Sequence, residues 1–487
     1  MAISRRDFLR MTGLSLVTLA VPRLTMATAP PGPNLLIIHT DEHNFRTLGC
    51  YRRTLPPEQA FMWGKAAVVQ TPNIDWIADH GAICTKFYAT TPVCAPSRAS
   101  FVSGKYPQNT PVKKNTIPLN DNIITFADIL RQSGYATGYA GKWHLDGEGK
   151  PDWAPKRRFG FEDNRYMFNC GHWKKVINTP DGPNFELWLN HVQSVRTATE
   201  KNYTTDWLTD RTIEFMDKNR LKPFCYMVGF PDPHDPDLVR RPYNTAFRKM
   251  TFIKPRTYDK PVDNLPSWAL PQKTDYNQSR YFGMIKCIDD NVGRILEYLR
   301  KTKLIDNTII IFTADHGDMR GEHHLKDKNF PFEASARVPF VIHFPNKIKA
   351  GTVVPQALGT VDFLPTILGL MGINTKGTEE GRDASGLLKG DQSAANWKDI
   401  TFVRGVNGWL AAFTKRYKLI VSTKDDPWLI DMEKDPDELK NFCPDPRYKK
   451  VAQALALELL AYGKKFNDEY VADTRIAADL IRLSEGL

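Results

Sequence analysis

Four short apolar runs punctuate the first two thirds of the chain, and each one ends in polar residues. Asn34-Leu-Leu-Ile-Ile38 leads into His39-Thr40-Asp41-Glu42-His43, and Thr308-Ile-Ile-Ile-Phe312 leads into Thr313-Ala314-Asp315-His316. Unbroken β-branched runs of this length, with no polar alternation, predict parallel strands buried on both faces. Gly134 to Ala140 predicts a third strand, followed by Gly141-Lys142-Trp143-His144. Phe224 to Phe230 predicts a fourth, followed by Pro231-Asp-Pro-His-Asp-Pro236. Between the first and third runs, Pro96 suits the first turn of a helix that runs through Ser97, Arg98 and Phe101 and stops at Gly104, with Cys94 just before its N-terminus. Val361 to Leu368 predicts a helix packed on the same layer. After about Gly390 the texture changes: Trp409–Phe413 and Tyr417–Val421 read as short strands separated by a turn, and a long helix follows from about Val451 to Phe466. The pattern predicts a large α/β domain over residues 30–390 and a smaller C-terminal subdomain, antiparallel sheet plus helix, over 391–487.

The first 29 residues stand outside this pattern. Ser4-Arg5-Arg6-Asp7-Phe8-Leu9 resembles the twin-arginine export signal, a short apolar run follows from Leu14 to Val21, and Ala27-Thr28-Ala29 fits a small-x-small cleavage site. The apolar run is far below the roughly 20 residues needed to span a bilayer, and no other stretch is long enough. The expectation is a signal peptide over 1–29, delivery by the twin-arginine translocase, and a periplasmic or secreted protein without a transmembrane helix. The segment carries four arginines and one aspartate, so its loss lowers the formal charge from +11 to +8. Basic runs are short, with Lys156-Arg157-Arg158 the densest, and no nucleic-acid motif accompanies them, so nucleic acid is not expected as a partner. The excess reads as a solvated surface compatible with anionic substrates. Seven cysteines are too sparse for a disulfide scaffold, and no CxxC pair suggests zinc.

The polar ends of the strands carry the candidate chemistry. In open α/β sheets ligands bind outside the carboxyl ends of the strands, and here two such ends carry acids. Two carboxylates about 4 Å apart repel by about 4 kcal/mol at an effective dielectric of 20, a cost that a divalent cation removes. Cys94 sits where the positive end of a helix dipole lowers a thiol pKa, and Arg98 falls one turn later on the same face. The pair reads either as an anion-handling nucleophile or as a buried cysteine beside a surface arginine. Three prolines stiffen the loop around His234, which suits a histidine that must be held still.

Cys94-Ala95-Pro96-Ser97-Arg98 matches C-x-P-S-R, and the following Ala99 to Gly104 resembles the A-S-F-x-x-G continuation of the type I sulfatases, a family of the alkaline phosphatase superfamily. Gly141-Lys-Trp-His144 resembles that family's second motif, Pro233-His234 its P-H motif, Glu322 to Lys328 its G-E-H-x-L-x-x-K segment, and Trp428 to Glu438 its closing L-x-D-x-x-x-D-P-x-E segment. The resemblance implies an alkaline-phosphatase-like α/β/α sandwich and hydrolysis of a sulfate ester. It implies that Cys94 is oxidised by a formylglycine-generating enzyme to Cα-formylglycine, whose hydrate is the nucleophile. It makes Asp41, Glu42, Asp315 and His316 ligands of a calcium ion, completed by the residue-94 side chain. Glu42 departs from the commoner aspartate, and an imidazole at 316 brings manganese or another transition metal into play. By the same resemblance Arg98 and Lys142 hold the nucleophile and the anionic oxygens. His144 helps the second hydroxyl expel sulfate, and His234 protonates the leaving oxygen with Lys328 beside it. Lys326 is the alternative to Lys328, while His323, His324 and Arg337 read as loop supports. The substrate class so implied is a small-molecule or oligosaccharide sulfate ester. A phosphonate or phosphodiester hydrolase of the same superfamily, and an exported binder of sulfated glycan with an unoxidised Cys94, are the alternatives.

Overall fold

In the computed structural model, the described residues are 32–186, 191–259, 265–374, 377–391 and 396–486, with side chains 191–193 excepted. The expected signal segment, 1–29, lies outside them.

The isoleucine-rich runs form the centre of an eight-stranded sheet. In chain order its strands are β1 (Asn34–Asp41), β2 (Ala82–Cys84), β3 (Ala136–Lys142), β4 (Asp163–Phe168), β5 (Phe224–Pro233), β6 (Thr308–Ala314), β7 (Phe340–His343) and β8 (Thr352–Val354). Their spatial order is β8-β2-β7-β6-β1-β5-β3-β4, with β7 alone running against the others. Successive side chains of a strand point to opposite faces, so each apolar run feeds two cores. Leu35, Ile37, Ile309 and Ile311 pack to one side and Leu36, Ile38, Ile310 and Phe312 to the other, all buried. A fully buried side chain of this size stabilises the fold by about 1.5–3 kcal/mol. That is why the runs tolerate no polar residue until the strand ends.

Helices cover both faces. On one side lie α1 (Pro72–Asp79), α4 (Thr204–Asn219) and α5 (Gln278–Lys301), through Ile74, Ile77, Trp207, Phe215, Ile288, Val292 and Ile295. On the other lie α2 (Cys94–Ser103), α3 (Phe126–Gln132) and α6 (Phe363–Met371), through Ala99, Phe101, Phe126, Ile129, Phe363 and Ile367. This is the expected α/β/α sandwich. The C-terminal part adds the antiparallel sheet of β9 (Thr401–Arg404), β10 (Trp409–Phe413), β11 (Tyr417–Ser422) and β12 (Trp428–Asp431), followed by α7 (Lys449–Phe466) and α8 (Thr474–Ser484). One face of that sheet packs on α7 and α8. Its other face packs on Met319, Leu325, Phe330 and Phe332 of the large layer, and Pro33–Leu487 forms one compact unit.

One local expectation is corrected: Cys94 is the first residue of α2 and not the one before it, with Val93 the extended residue ahead and Pro96 in the first turn as expected. A proline in the first turn needs no N–H bond, which leaves the helix free to start earlier. Gly104 ends the helix with φ 66°, as expected of a left-handed stop. After β3 the chain leaves the extended conformation at His144, whose φ is 62°. No helix among the described residues is long and apolar enough to cross a membrane, and all seven cysteines are free thiols.

Candidate active site

The strand ends converge on one rim. Parallel register sets Thr40 beside Ala314, so Asp41 and Asp315 leave adjacent strands together, while Lys142 ends β3, His144 follows it and His234 follows β5. The N-terminus of α2 enters the same rim and presents Cys94 and Arg98. All of α2 is buried.

Cys94 Sγ lies 3.2 Å from His316 Nε2 and 3.7 Å from Asp41 Oδ1. Arg98 is fixed at two points: Nε donates to Asp315 Oδ2 at 2.9 Å and Nη1 to the Lys142 carbonyl at 2.6 Å. Its Nη2, 3.7 Å from Asp41 Oδ2, has no hydrogen-bond partner although it is buried. Lys142 is fully buried, and its ammonium donates to Asp41 Oδ2 and, at 2.7 Å, to His172 Nε2. His316 is oriented by its Nδ1, 2.9 Å from the Gly317 carbonyl. Asp315 Oδ1 accepts the backbone N–H groups of Glu42 and His316. An unpaired buried polar atom costs about 1–3 kcal/mol, and the site carries three: Arg98 Nη2, His144 Nδ1 and Glu42 Oε1. A charged guest bound among them would supply partners for these atoms.

The electrostatics fit a cation and an anion held side by side. Asp41, Cys94, Asp315 and His316 each bring one ligand atom to within 4.8 Å of the others, and all four are buried. Burial first, and then the Asp41 carboxylate, push Asp315 up to about 6. A divalent cation between the two would reverse that cost. Burial alone would raise the Cys94 thiol, but Lys142 and His316 outweigh it and hold it well below the ordinary range. The donor set therefore fits a divalent metal, and its imidazole widens the choice beyond calcium. Glu42 stands apart from that group. Turned by a left-handed backbone (φ 60°), its Oε2 meets His234 Nε2 at 2.8 Å and Lys328 Nζ at 3.1 Å.

His234 and Lys328 share the Glu42 carboxylate. His234 Nε2 lies 2.8 Å from Glu42 Oε2 and 2.6 Å from Lys328 Nζ, so it donates to the carboxylate when protonated and accepts a hydrogen bond from the ammonium when not. Burial lowers its affinity for protons, but Glu42 more than compensates and keeps the imidazole well above its ordinary pKa. Its Nδ1 is tied to Asp235, 2.6 Å from the carboxylate and 3.0 Å from the carbonyl. His144 is the opposite case: burial first, and then the Lys142 ammonium, lower its imidazole below the ordinary range. Lys326 pairs with Asp275 and Asp327 at the surface, away from these contacts, whereas Lys328 enters the site. His323 stacks on Phe332 at 3.9 Å and His324 on Tyr258 at 4.1 Å, while Arg337 pairs with Glu333 at 3.2 Å, so all three brace loops.

Two residues of the site lack any sequence motif. His172, in the turn after β4, stacks on His234 with ring centroids 3.4 Å apart and lies 3.6 Å from Asp41. Asn115 Oδ1 accepts the Ala95 N–H at 3.0 Å, and so caps the first turn of α2. The strand-end rule could have flagged His172, since β4 also ends on the active rim.

A doubly wound sheet with its acids, its cysteine and its cationic groups on one carboxyl rim defines an alkaline-phosphatase-like hydrolase fold. The sulfatase family profile matches residues 33–373, and the profile of the N-sulphoglucosamine sulphohydrolase C-terminal region matches residues 321–465. The chain belongs to the sulfatase family and is a sulfuric ester hydrolase. It is 28% identical to a choline-sulfatase of Rhizobium meliloti over 449 residues, covering 85% of this chain and 83% of that one. It is 27% identical to an N-acetylglucosamine-6-O-sulfatase of Bacteroides thetaiotaomicron, covering 94% of this chain and 91% of the relative. Among solved structures, one of an enzyme in complex with its substrate D-glucosamine-2-N,6-O-disulfate superposes with a TM-score of 0.74 at 23% identity, covering 91% of this chain and 99% of that one.

Proposed function

We propose that the protein hydrolyses a sulfate monoester on a carbohydrate, with residue 94 as Cα-formylglycine the nucleophile and a divalent cation, calcium first, held by Asp41, Glu42, Asp315 and His316. The observation that carries this reading is the convergence of Cys94 with two unpaired buried nitrogens, Arg98 Nη2 and His144 Nδ1, and with the ammonium groups of Lys142 and Lys328. When present, the cation would supply a fixed positive charge beside residue 94, and the hydrated aldehyde a hydroxyl nucleophile with a second hydroxyl for release. The chain's own residues do the rest. Arg98, anchored at Asp315 and at the Lys142 carbonyl, offers Nη2 to an anionic oxygen. Lys142 neutralises the same region. His144, whose imidazole burial and Lys142 shift below its ordinary range, would take a proton from the residue-94 side chain. His234, backed by Lys328, is placed to give one to the leaving oxygen. Such general acid help is worth about 10²–10⁴ in rate. The N-acetylglucosamine-6-O-sulfatase relative supports a sulfated sugar as the substrate class.

The twin-arginine pattern at residues 4–9 supports export to the periplasm or beyond. That route carries folded proteins, so the formylglycine-generating enzyme would have to act in the cytoplasm before Cys94 is buried. Two measurements test the reading. Trypsin releases the peptide Phe87 to Arg98, and its mass in active protein is expected to be that of the aldehyde or its hydrate. An active preparation whose peptide carries only thiol sinks the mechanism. Paired aryl sulfate and phosphodiester substrates are expected to show a higher kcat/KM for the sulfate. A tenfold preference for the phosphodiester, about 1.4 kcal/mol in transition-state binding, would select the phosphonate or phosphodiester hydrolase instead.

A further inference from the structure

His172 lies in no motif, yet it occupies the space between the sulfate-facing lysine and the histidine assigned to the leaving group. We infer that His172 is a positioning residue: its imidazole is the platform that holds the His234 ring in the plane from which it protonates the leaving oxygen. The two rings are 3.4 Å apart and within 10° of parallel. The bonds of His234 to Asp235, Glu42 and Lys328 all lie at ring nitrogens. Edge contacts of that kind set where the nitrogens point but resist tilting of the ring poorly. A face contact removes that freedom.

The platform is itself held. A Lys142 ammonium has hydrogens and no lone pair, so at 2.7 Å it donates and His172 Nε2 accepts, which places the His172 proton on Nδ1. The segment around it is braced to both neighbouring strand ends. The Asn169 carbonyl accepts the His144 N–H, and Asn169 Nδ2 donates to the carbonyls of Gly147 and Gly149. On the other side Lys174 Nζ donates to Asp232 Oδ1 at 2.7 Å and to the His234 carbonyl at 2.9 Å. Gly171 has φ 108°, and a Cβ there would stand 2.2 Å from Trp173 Nε1, so the turn that delivers His172 requires glycine. A bracing this complete for one half-buried histidine has no use in the core. It has one in fixing the ring above.

The inference rests on His234 as the leaving-group acid, and the test separates the two. Metal-replete, formylglycine-bearing full-length enzyme is assayed on a sugar sulfate, whose alkoxide needs a proton, and on 4-nitrophenyl sulfate, whose phenoxide needs little. His172→Ala is expected to lose about ten- to a hundredfold in kcat on the sugar sulfate, within the span of general acid catalysis, and less than about threefold on the aryl ester. The double variant His172→Ala/His234→Ala should be no slower than His234→Ala alone, as for residues acting through one another. His172→Phe, which keeps the plane without the acceptor, should recover most of the loss, and His172→Asn, which keeps an acceptor without the plane, should not. Recovery by Asn and failure of Phe would overturn the inference and make His172 an acceptor for Lys142. Equal losses on both esters, with unchanged melting and metal content, would also overturn it. If His234→Ala shows the leaving-group pattern and His172→Ala does not, the inference falls alone. If His234→Ala lacks the pattern, the acid assignment falls and takes the inference with it.

Discussion

Glu42 carries more of the site's logic than its place beside Asp41 suggests. Its Oε2 serves His234 and Lys328, which together hold its carboxyl down at about 2 against the opposing effect of burial. Its Oε1 is buried with no partner at all. One oxygen is thus engaged by His234 and Lys328, and on the proposed reading the other is the one that would meet the cation. Glu42→Gln is therefore expected to weaken the divalent cation about tenfold or more, or about 1.4 kcal/mol, while the fold survives. Calorimetric titration of the metal into stripped enzyme checks it, and an unchanged affinity would leave Glu42 with the acid pair only. Asp315→Ala is the companion prediction. Without Asp315, Arg98 loses its Nε anchor and the cluster a ligand, so elemental analysis should find the metal gone together with activity. Equal metal in wild type and variant would remove the assignment.

At the scale of elements, the sheet shows why some parts were legible in the sequence and others were not. β1, β5 and β6 sit at the centre, buried on both faces, so their residues had to be uninterrupted apolar runs. β2, β7 and β8 are three or four residues long and have no period to detect. The gathering of residues on one rim was legible where a motif marked it, as at Cys94, Lys142 and Lys328, which the fold brings against Asp41 and Glu42. His172 was not, because β4, the strand it follows, lacks the unbroken apolar run that marks the central strands. Capping between elements is similarly invisible. The N-terminus of α1 has no side-chain cap of its own. Asp289 of α5 supplies one, accepting the N–H groups of Asn73 and Ile74 at 3.0 and 2.9 Å. Burial raises that carboxyl to about 6. A folded-state pKa above the unfolded value of about 3.9 means that the folded protein binds the proton more tightly. The stability is then fully present below about pH 4, falls as pH rises towards 6, and is flat above. Two pKa units correspond to about 3 kcal/mol at most. Denaturant melts of wild type and Asp289→Asn from pH 4 to 7 should show wild type losing stability relative to the variant across that window. Parallel curves would show that the carboxyl ionises as freely in the fold as outside it.

At the scale of the whole molecule, the C-terminal sheet works as a buttress for the active site. The chain from Lys328 to Glu333 is pinned from both sides. The Asn329 N–H donates to the Pro92 carbonyl, two residues before Cys94, and its own carbonyl accepts from Trp409 Nε1 of β10. Further along, Lys418 of β11 is fully buried and donates to the Pro331 carbonyl, to Glu438 at 2.7 Å and to Glu333 at 2.8 Å. Glu438 also accepts the Glu333 N–H at 2.7 Å. The closing acidic segment of the sequence thus terminates in a residue that holds the catalytic loop, not in one that meets substrate. Removing one partner of a buried ion pair leaves an uncompensated charge and costs about 3–5 kcal/mol. Lys418→Met is therefore expected to lower the melting temperature strongly, because Glu438 loses its cation beside Glu333, which keeps Lys86 and Arg337. Lys418→Met/Glu438→Gln should recover part of the loss by removing the stranded charge. Where both variants are still folded, kcat on a sugar sulfate should fall further than on 4-nitrophenyl sulfate, since the displaced loop carries Lys328 and with it the partner of His234. A Lys418→Met enzyme with wild-type melting and wild-type kcat on both esters would show that the C-terminal sheet merely covers the large layer.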